Sequence, residues 1–201
     1  MQLIDAISQR RSIKHYDPSV KMTDKEFSQL MSATILSPTS YNIQHWRFVR
    51  VQDKALRRDI QQAAWDQSQV GDASELIILC GDINAWNDRP ERYWADADAN
   101  TQNMLLPMIE SFYAGKEQLQ RDEAIRSCSI AAQTLMLTAK SMGYDSNPMI
   151  GFDSDEVARL INLPQGHLIA MMIVVGKSTR AARPRGGQLP INELVIDNTF
   201  S

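Results

Sequence analysis

Two stretches, Arg10-Arg11-Ser12-Ile13-Lys14 and Ser37-Pro38-Thr39-Ser40-Tyr41-Asn42-Ile43-Gln44-His45-Trp46, set the frame for the rest of the chain. Leu3, Ile4 and Ile7 fall at helical spacing and lead into the first, and Asp17-Pro18 closes it as a turn. This predicts a helix that delivers Arg10 to Lys14 at or just past its C-terminal end. Between the two stretches, Thr23-Asp24-Lys25-Glu26 has capping-box spacing, in which hydroxyl and carboxylate satisfy opposite backbone N–H groups. Phe27, Leu30, Met31 and Ile35 then supply the apolar stripe of a second helix, which Ser37-Pro38 stops.

Working outward, Trp46 to Val51 has strand character, and a helical stretch from Ala55 to Ala64 follows. Leu76 to Cys80 reads as a buried strand, and His167 to Gly176 as a second strong one. Arg89 to Glu123 is helical in composition, with Met104, Leu105, Met108, Ile109 and Phe112 at mixed spacing. Ile130 to Met142 is apolar or small on nearly every side and ends at Gly143, a natural helix C-cap. That pattern predicts a helix buried on all faces, central in the core or packed against a second subunit. Asp153 starts a short helix through Ile161. From 177 to 201 the chain is basic and rich in Gly and Pro, with an apolar run Leu194-Val195-Ile196 that needs something to pair with. With no repeats and no low-complexity linker, the pattern is one α+β domain over 1–201, with 177–201 as a C-terminal extension.

A chain of 201 residues with 43% hydrophobic content can bury a substantial core. Its net charge of -3 and pI near 5.6 argue against a nucleic-acid partner, because phosphate-backbone affinity needs clustered, undiluted positive charge. The first residues show no basic leader before an apolar run, and the apolar runs are shorter than the roughly 20 residues of a membrane helix. A cytoplasmic location is the default expectation, with no membrane partner. Cys80 and Cys128 lie in apolar patterns without metal-ligand spacing, and His15, His45 and His167 are scattered, so no metal is expected. Cys128 sits inside an apolar helical pattern with Ser127 and Ser129, not at a helix start beside a histidine, so a lowered thiol pKa has no evident cause.

Together with Pro148-Met149-Ile150-Gly151-Phe152-Asp153 and Arg183-Pro184-Arg185, the two opening stretches resemble the flavin site of the FMN-dependent nitroreductase family, and the order of all four is more specific than any one. The resemblance implies a central, mainly antiparallel sheet flanked by helices. It also implies a homodimer with flavin sites at the interface and a C-terminal tail reaching the partner. A phosphate dianion needs several Arg or Lys donors from different parts of the chain, and Arg10 and Arg11 with Arg183 and Arg185 could form that clamp, with Ser12 donating to phosphate or ribityl.

In the family, the position of Lys14 lies near the flavin pyrimidine edge, where a cation raises the potential. Pro38, Thr39, Ser40 and Asn42 correspond to the segment that reaches the flavin of the opposite subunit. Pro148, Met149, Ile150 and Gly151 match the loop whose backbone N–H groups approach N5, with Gly151 permitting close approach. Two places depart from the family's common form: Ile150 stands where glutamate is frequent, and Trp65-Asp66-Gln67-Ser68-Gln69 stands where asparagine and then a basic residue or glutamine is frequent. Gln69 can still bond the pyrimidine edge, whereas Asp66 would be repelled by reduced anionic flavin if it pointed inward and is left out of the site.

The activity implied is ping-pong transfer of hydride from NAD(P)H, through FMN, to a nitroaromatic, quinone or similar conjugated acceptor. No side chain need act as acid, base or nucleophile. The absence of Gly-x-Gly-x-x-Gly after a strand leaves NAD(P)H to share the acceptor's pocket. The alternatives are a relative acting on enones or halogenated aromatics, with Asp88 to Tyr113 as lid, and a non-enzymatic flavin-binding or sensing protein.

Overall fold

The computed structural model of the chain describes residues 1–200. Its centre is a four-stranded sheet in the order β1-β2-β4-β3, from β1 (Trp46–Arg50), β2 (Glu75–Asp82), β3 (Asp145–Met149) and β4 (His167–Gly176), with every adjacent pair antiparallel. The helices are α1 (Leu3–Gln9), α2 (Asp24–Thr34), α3 (Lys54–Ala63), α4 (Ser68–Asp72), α5 (Ala99–Tyr113), α6 (Glu117–Ser141), α7 (Ser154–Leu160) and α8 (Ile191–Leu194).

Every residue of β2 is buried, which explains its unbroken apolar run: both sheet faces are covered. Ile77 and Leu79 pack with Leu30 of α2 and Leu135, Met136 and Ala139 of α6. Leu76, Ile78 and Cys80 face the other way, onto Ile60, Ala64, Val70 and Val157 around α3, α4 and α7. The fold is thus α+β, an antiparallel sheet between two helical layers. The expected capping box is present, with both the Thr23 and Glu26 bonds formed at the start of α2.

β3 takes in Pro148 and Met149, the first half of the stretch read from sequence as a loop, while Ile150 and Gly151 lie just past its end. Its proline is tolerated because β3 is an edge strand, where a missing N–H breaks no interior ladder. The basic stretch then lies along that edge: Ser12 bridges Ser146 in parallel, and the Ile13 N–H donates to the Ser146 carbonyl at 3.2 Å. The start of the tail is fastened there too, with the Asp17 N–H on Lys177 O (2.9 Å) and the Thr179 N–H on His15 O (3.0 Å).

The long helix differs from expectation. It begins at Glu117, after a break at Gly115 (φ +68°), and is not buried on every side. Ala124, Cys128, Ala131, Leu135 and Ala139 face the core, while Ser129, Ile130 and Gln133 are exposed. The stripe of α1 likewise faces outward: only Ala6 is buried, and Leu3, Ile4 and Ile7 are exposed, as are Ile35 and Leu36 after α2. Apolar periodicity marks a face that wants cover without saying what covers it. Among the described residues, no helix is long and apolar enough to cross a membrane.

Candidate functional site

The segment that follows α1, Arg10 to His15, and the start of the tail, Arg180 to Gln188, enclose a cleft of about 420 Å³. Arg10, Arg11, Ser12, Lys14, Arg183 and Arg185 all line it, and among the described residues no carboxylate does. Two of the arginines lace the chain together: Arg185 Nη2 donates to the carbonyls of Ser8 (3.0 Å) and Arg10 (3.3 Å), and Arg11 donates to the Arg183 carbonyl. A cation on the last carbonyls of a helix also complements its dipole.

Arg10 is differently placed. Its Nη1 is buried with no partner, and burial, then Arg185 and Arg11, hold its pKa below the ordinary arginine value. The Ser146 hydroxyl, on the strand bridged by Ser12, is also buried and unpartnered. Crowded cations with orphaned donors are what a phosphate dianion satisfies, so the donor set fits the phosphate end of FMN. Sequence reasoning missed Ser146; only its closeness to the Pro148 motif could have flagged it.

The strand leads from this cleft to a second group of residues. Along β3, Ser146 and Met149 stand about 10 Å apart at strand rise, the length scale of a ribityl chain. Beyond Met149, Ile150 is 79% exposed and Gly151 carries a close contact, since a Cβ there would lie 3.3 Å from Trp65 Cζ3. Gln67 Nε2 donates to Gly151 O at 2.9 Å. Gln69 is buried, and its amide is spent inside the chain, donating to Gln67 Oε1 at 2.9 Å and lying 3.8 Å from Met149 Sδ. Both glutamines therefore touch the Pro148-to-Gly151 stretch, Gln69 at Met149 and Gln67 at the Gly151 carbonyl. Asp66 is exposed.

Pro38, Thr39, Ser40 and Asn42 lie elsewhere. Their turn precedes β1, the opposite edge of the sheet, at least three inter-strand steps or about 14 Å from β3. The turn is built by its own contacts. Tyr41 (φ 50°), Asn42 (φ 56°) and Gln44 (φ 52°) adopt left-handed backbone, Thr39 Oγ1 accepts from the Gln44 N–H (3.1 Å), and Asn42 Nδ2 donates to Tyr93 O (2.7 Å). Trp94 Nε1 donates to Tyr41 O at 3.0 Å. One chain alone thus brings Arg10 to Lys14, Arg183, Arg185, Gln69 and Pro148 to Gly151 to one edge of the sheet, and leaves the Pro38 turn at the other.

Behind that turn His45 is fully buried, its Nδ1 3.2 Å from Ser127 Oγ, which donates to Glu123 Oε1 at 3.3 Å. Burial, and then Arg47, lower His45 to about 4, so its ring is neutral near pH 7. Both cysteines are free and buried. Burial raises Cys80 to about 11 and Cys128 to about 12, the reverse of an activated thiol. Among the described residues, no group of His, Cys, Asp and Glu is arranged to hold a metal ion.

The sequence pattern of the nitroreductase family matches residues 7–177. The chain is 48% identical over 200 residues to Protein DrgA of Synechocystis, covering 97% of this chain and 95% of that one. It is 33% identical over 196 residues to MhqN of Bacillus subtilis, provisionally named an NAD(P)H nitroreductase, covering 94% and 95%. A solved structure from Exiguobacterium sibiricum in complex with FMN superposes with a TM-score of 0.91 at 27% identity, over 98% of this chain and 97% of the other.

Proposed function

Since this chain belongs to the nitroreductase family of FMN-dependent proteins, we propose that it takes hydride from NAD(P)H and passes the electrons to a nitroaromatic, quinone or similar conjugated acceptor in a ping-pong cycle. The observation that carries this reading is the buried, unpartnered Nη1 of Arg10 in a cleft lined by cations alone among its charged groups.

FMN bound there supplies the hydride and electron chemistry. The protein's own residues bind and orient. Arg10, with Arg11, Arg183 and Arg185, holds the phosphate, and Ser12 adds a hydroxyl donor. Gln67 fixes the Gly151 carbonyl, which orients the backbone of the Pro148-to-Gly151 loop toward the ring. Lys14 favours negative charge on the pyrimidine edge, and Gln69 secures Met149 beneath the loop.

The site is completed in a homodimer. The exposed apolar residues of α1, of the end of α2 and of α6, together with Leu189, Ile191, Leu194 and Val195 in the tail, form faces that a second copy covers. Pro38, Thr39, Ser40 and Asn42, stranded at the far sheet edge of their own chain, then serve the partner's flavin. The test is kinetic. Double-reciprocal plots of NAD(P)H oxidation at several concentrations of a nitroaromatic or quinone give parallel lines for ping-pong transfer; intersecting lines contradict it.

A further inference from the structure

Trp65 is the largest apolar side chain near the Gly151 loop, and it is 67% exposed. It follows the C-terminus of α3, and both it and Asp66 take left-handed backbone, φ 55° each. A bulky aromatic residue there is strained, whereas the aspartate after it enters that region more readily. The turn is nevertheless tightly held. The Trp65 N–H donates to Gln62 O (2.9 Å), the Asp66 N–H to Gln61 O (2.9 Å), and the Asp153 N–H to Ala63 O (2.8 Å), while Gln67 reaches Gly151 O. The ring edge lies against Gly151, where the chain has no Cβ to displace it.

A strained turn that leaves an indole face in solvent is not explained by packing within the chain. The strain and the exposure are both accounted for if something flat stacks on that face. Ile150, next to Gly151 and exposed, extends the apolar surface, with the exposed carboxylates of Asp66 and Asp153 nearby along the chain.

We propose that Trp65 is the stacking platform that selects the acceptor, a planar aromatic or quinonoid ring lying on the indole face beside Ile150 and Gly151. The assignment rests on the reading that the Gly151 loop faces the flavin. The platform discriminates by shape: a flat ring meets the indole over its whole face, whereas a puckered aliphatic acceptor of the same size and charge does not.

The test is calorimetric titration of the oxidised, FMN-loaded protein with 1-naphthoate and with decahydro-1-naphthoate, which share charge and carbon skeleton but not planarity. Wild type binds the flat ligand more tightly. Trp65→Ala weakens 1-naphthoate about tenfold and decahydro-1-naphthoate by less than about twofold, and Trp65→Phe retains most of the preference. FMN affinity, measured in the same variants, is unchanged. Equal losses for both ligands, or no loss for the flat one, overturn the proposal. A parallel fall in FMN affinity also overturns it, because the indole then holds the cofactor. Failure of the underlying flavin reading is seen separately, as wild-type protein that neither carries flavin nor takes up added FMN.

Discussion

Replacing Arg10 with alanine is expected to weaken FMN without weakening riboflavin. The unpartnered Nη1 of Arg10 is the one buried, uncommitted guanidinium donor lining the cleft among the described residues, since Arg11 and Arg185 already spend donors on backbone carbonyls. A hydrogen bond to a charged group contributes about 1.5–3 kcal/mol, which is roughly tenfold to 150-fold in Kd. Riboflavin lacks the phosphate, so its affinity should change by less than about twofold. Arg10→Ala with Arg185→Ala should lose roughly 100-fold to 10,000-fold and yield colourless protein as purified. The sign differs for the protein without flavin: there Arg10 is crowded by Arg185 and Arg11, so removing it relieves repulsion and should not lower the melting temperature. The assay is fluorescence titration of both flavins into the flavin-free protein, with thermal unfolding alongside. Unchanged FMN affinity, or riboflavin weakened by the same factor as FMN, would refute the phosphate clamp.

Lys14→Met should lower the two-electron potential of bound FMN by on the order of 30 mV or more, read by anaerobic dye-coupled titration; an unmoved potential removes Lys14 from tuning. His45, held at about 4 against about 6.5 unfolded, binds its proton more readily in the unfolded chain. Its contribution is therefore present above pH 6.5 and lost as pH falls toward 4, by about 3 kcal/mol at most, and His45→Phe should flatten that limb of the stability–pH curve. Gly176→Ala places a Cβ 2.9 Å from Tyr16 Cδ1 and 3.0 Å from the Ser74 backbone N, and should cost about 1–3 kcal/mol in denaturant unfolding. Ile7→Asp with Leu36→Asp should yield monomers by sedimentation and, with the site halves parted, lose flavin; a stable dimer would move the interface elsewhere.

What the sequence made legible was local chemistry: a capping box, a buried strand with no polar interruption, a helix that ends as arginines begin. The opening basic stretch and Arg183 with Arg185 meet because Ser12 lies along β3 and the tail follows β4, and the resemblance anticipated that meeting without its cause. β3 was hidden because Asn147 and Pro148 are poor strand formers, and only an edge position admits them. Ser146 gave no signal, since an orphaned hydroxyl exists only after folding. The contact of Gln67 with the Gly151 carbonyl gave no signal either, since two glutamines two residues apart read alike until the fold buries Gln69 against Met149 and turns Gln67 to Gly151. The stripe of α1 marked a helix but not its surroundings, because the face it presents is turned away from its own core.

The central claim is that this chain holds a reducible flavin in the cleft between its N-terminal segment and its tail. The most direct measurement is the visible absorption spectrum of the purified protein before and after anaerobic addition of NADPH or NADH. The expected result is an oxidised-flavin spectrum that bleaches with at least one nucleotide. Flavin that stays oxidised with both, or protein that shows no flavin even after FMN is supplied, would contradict it.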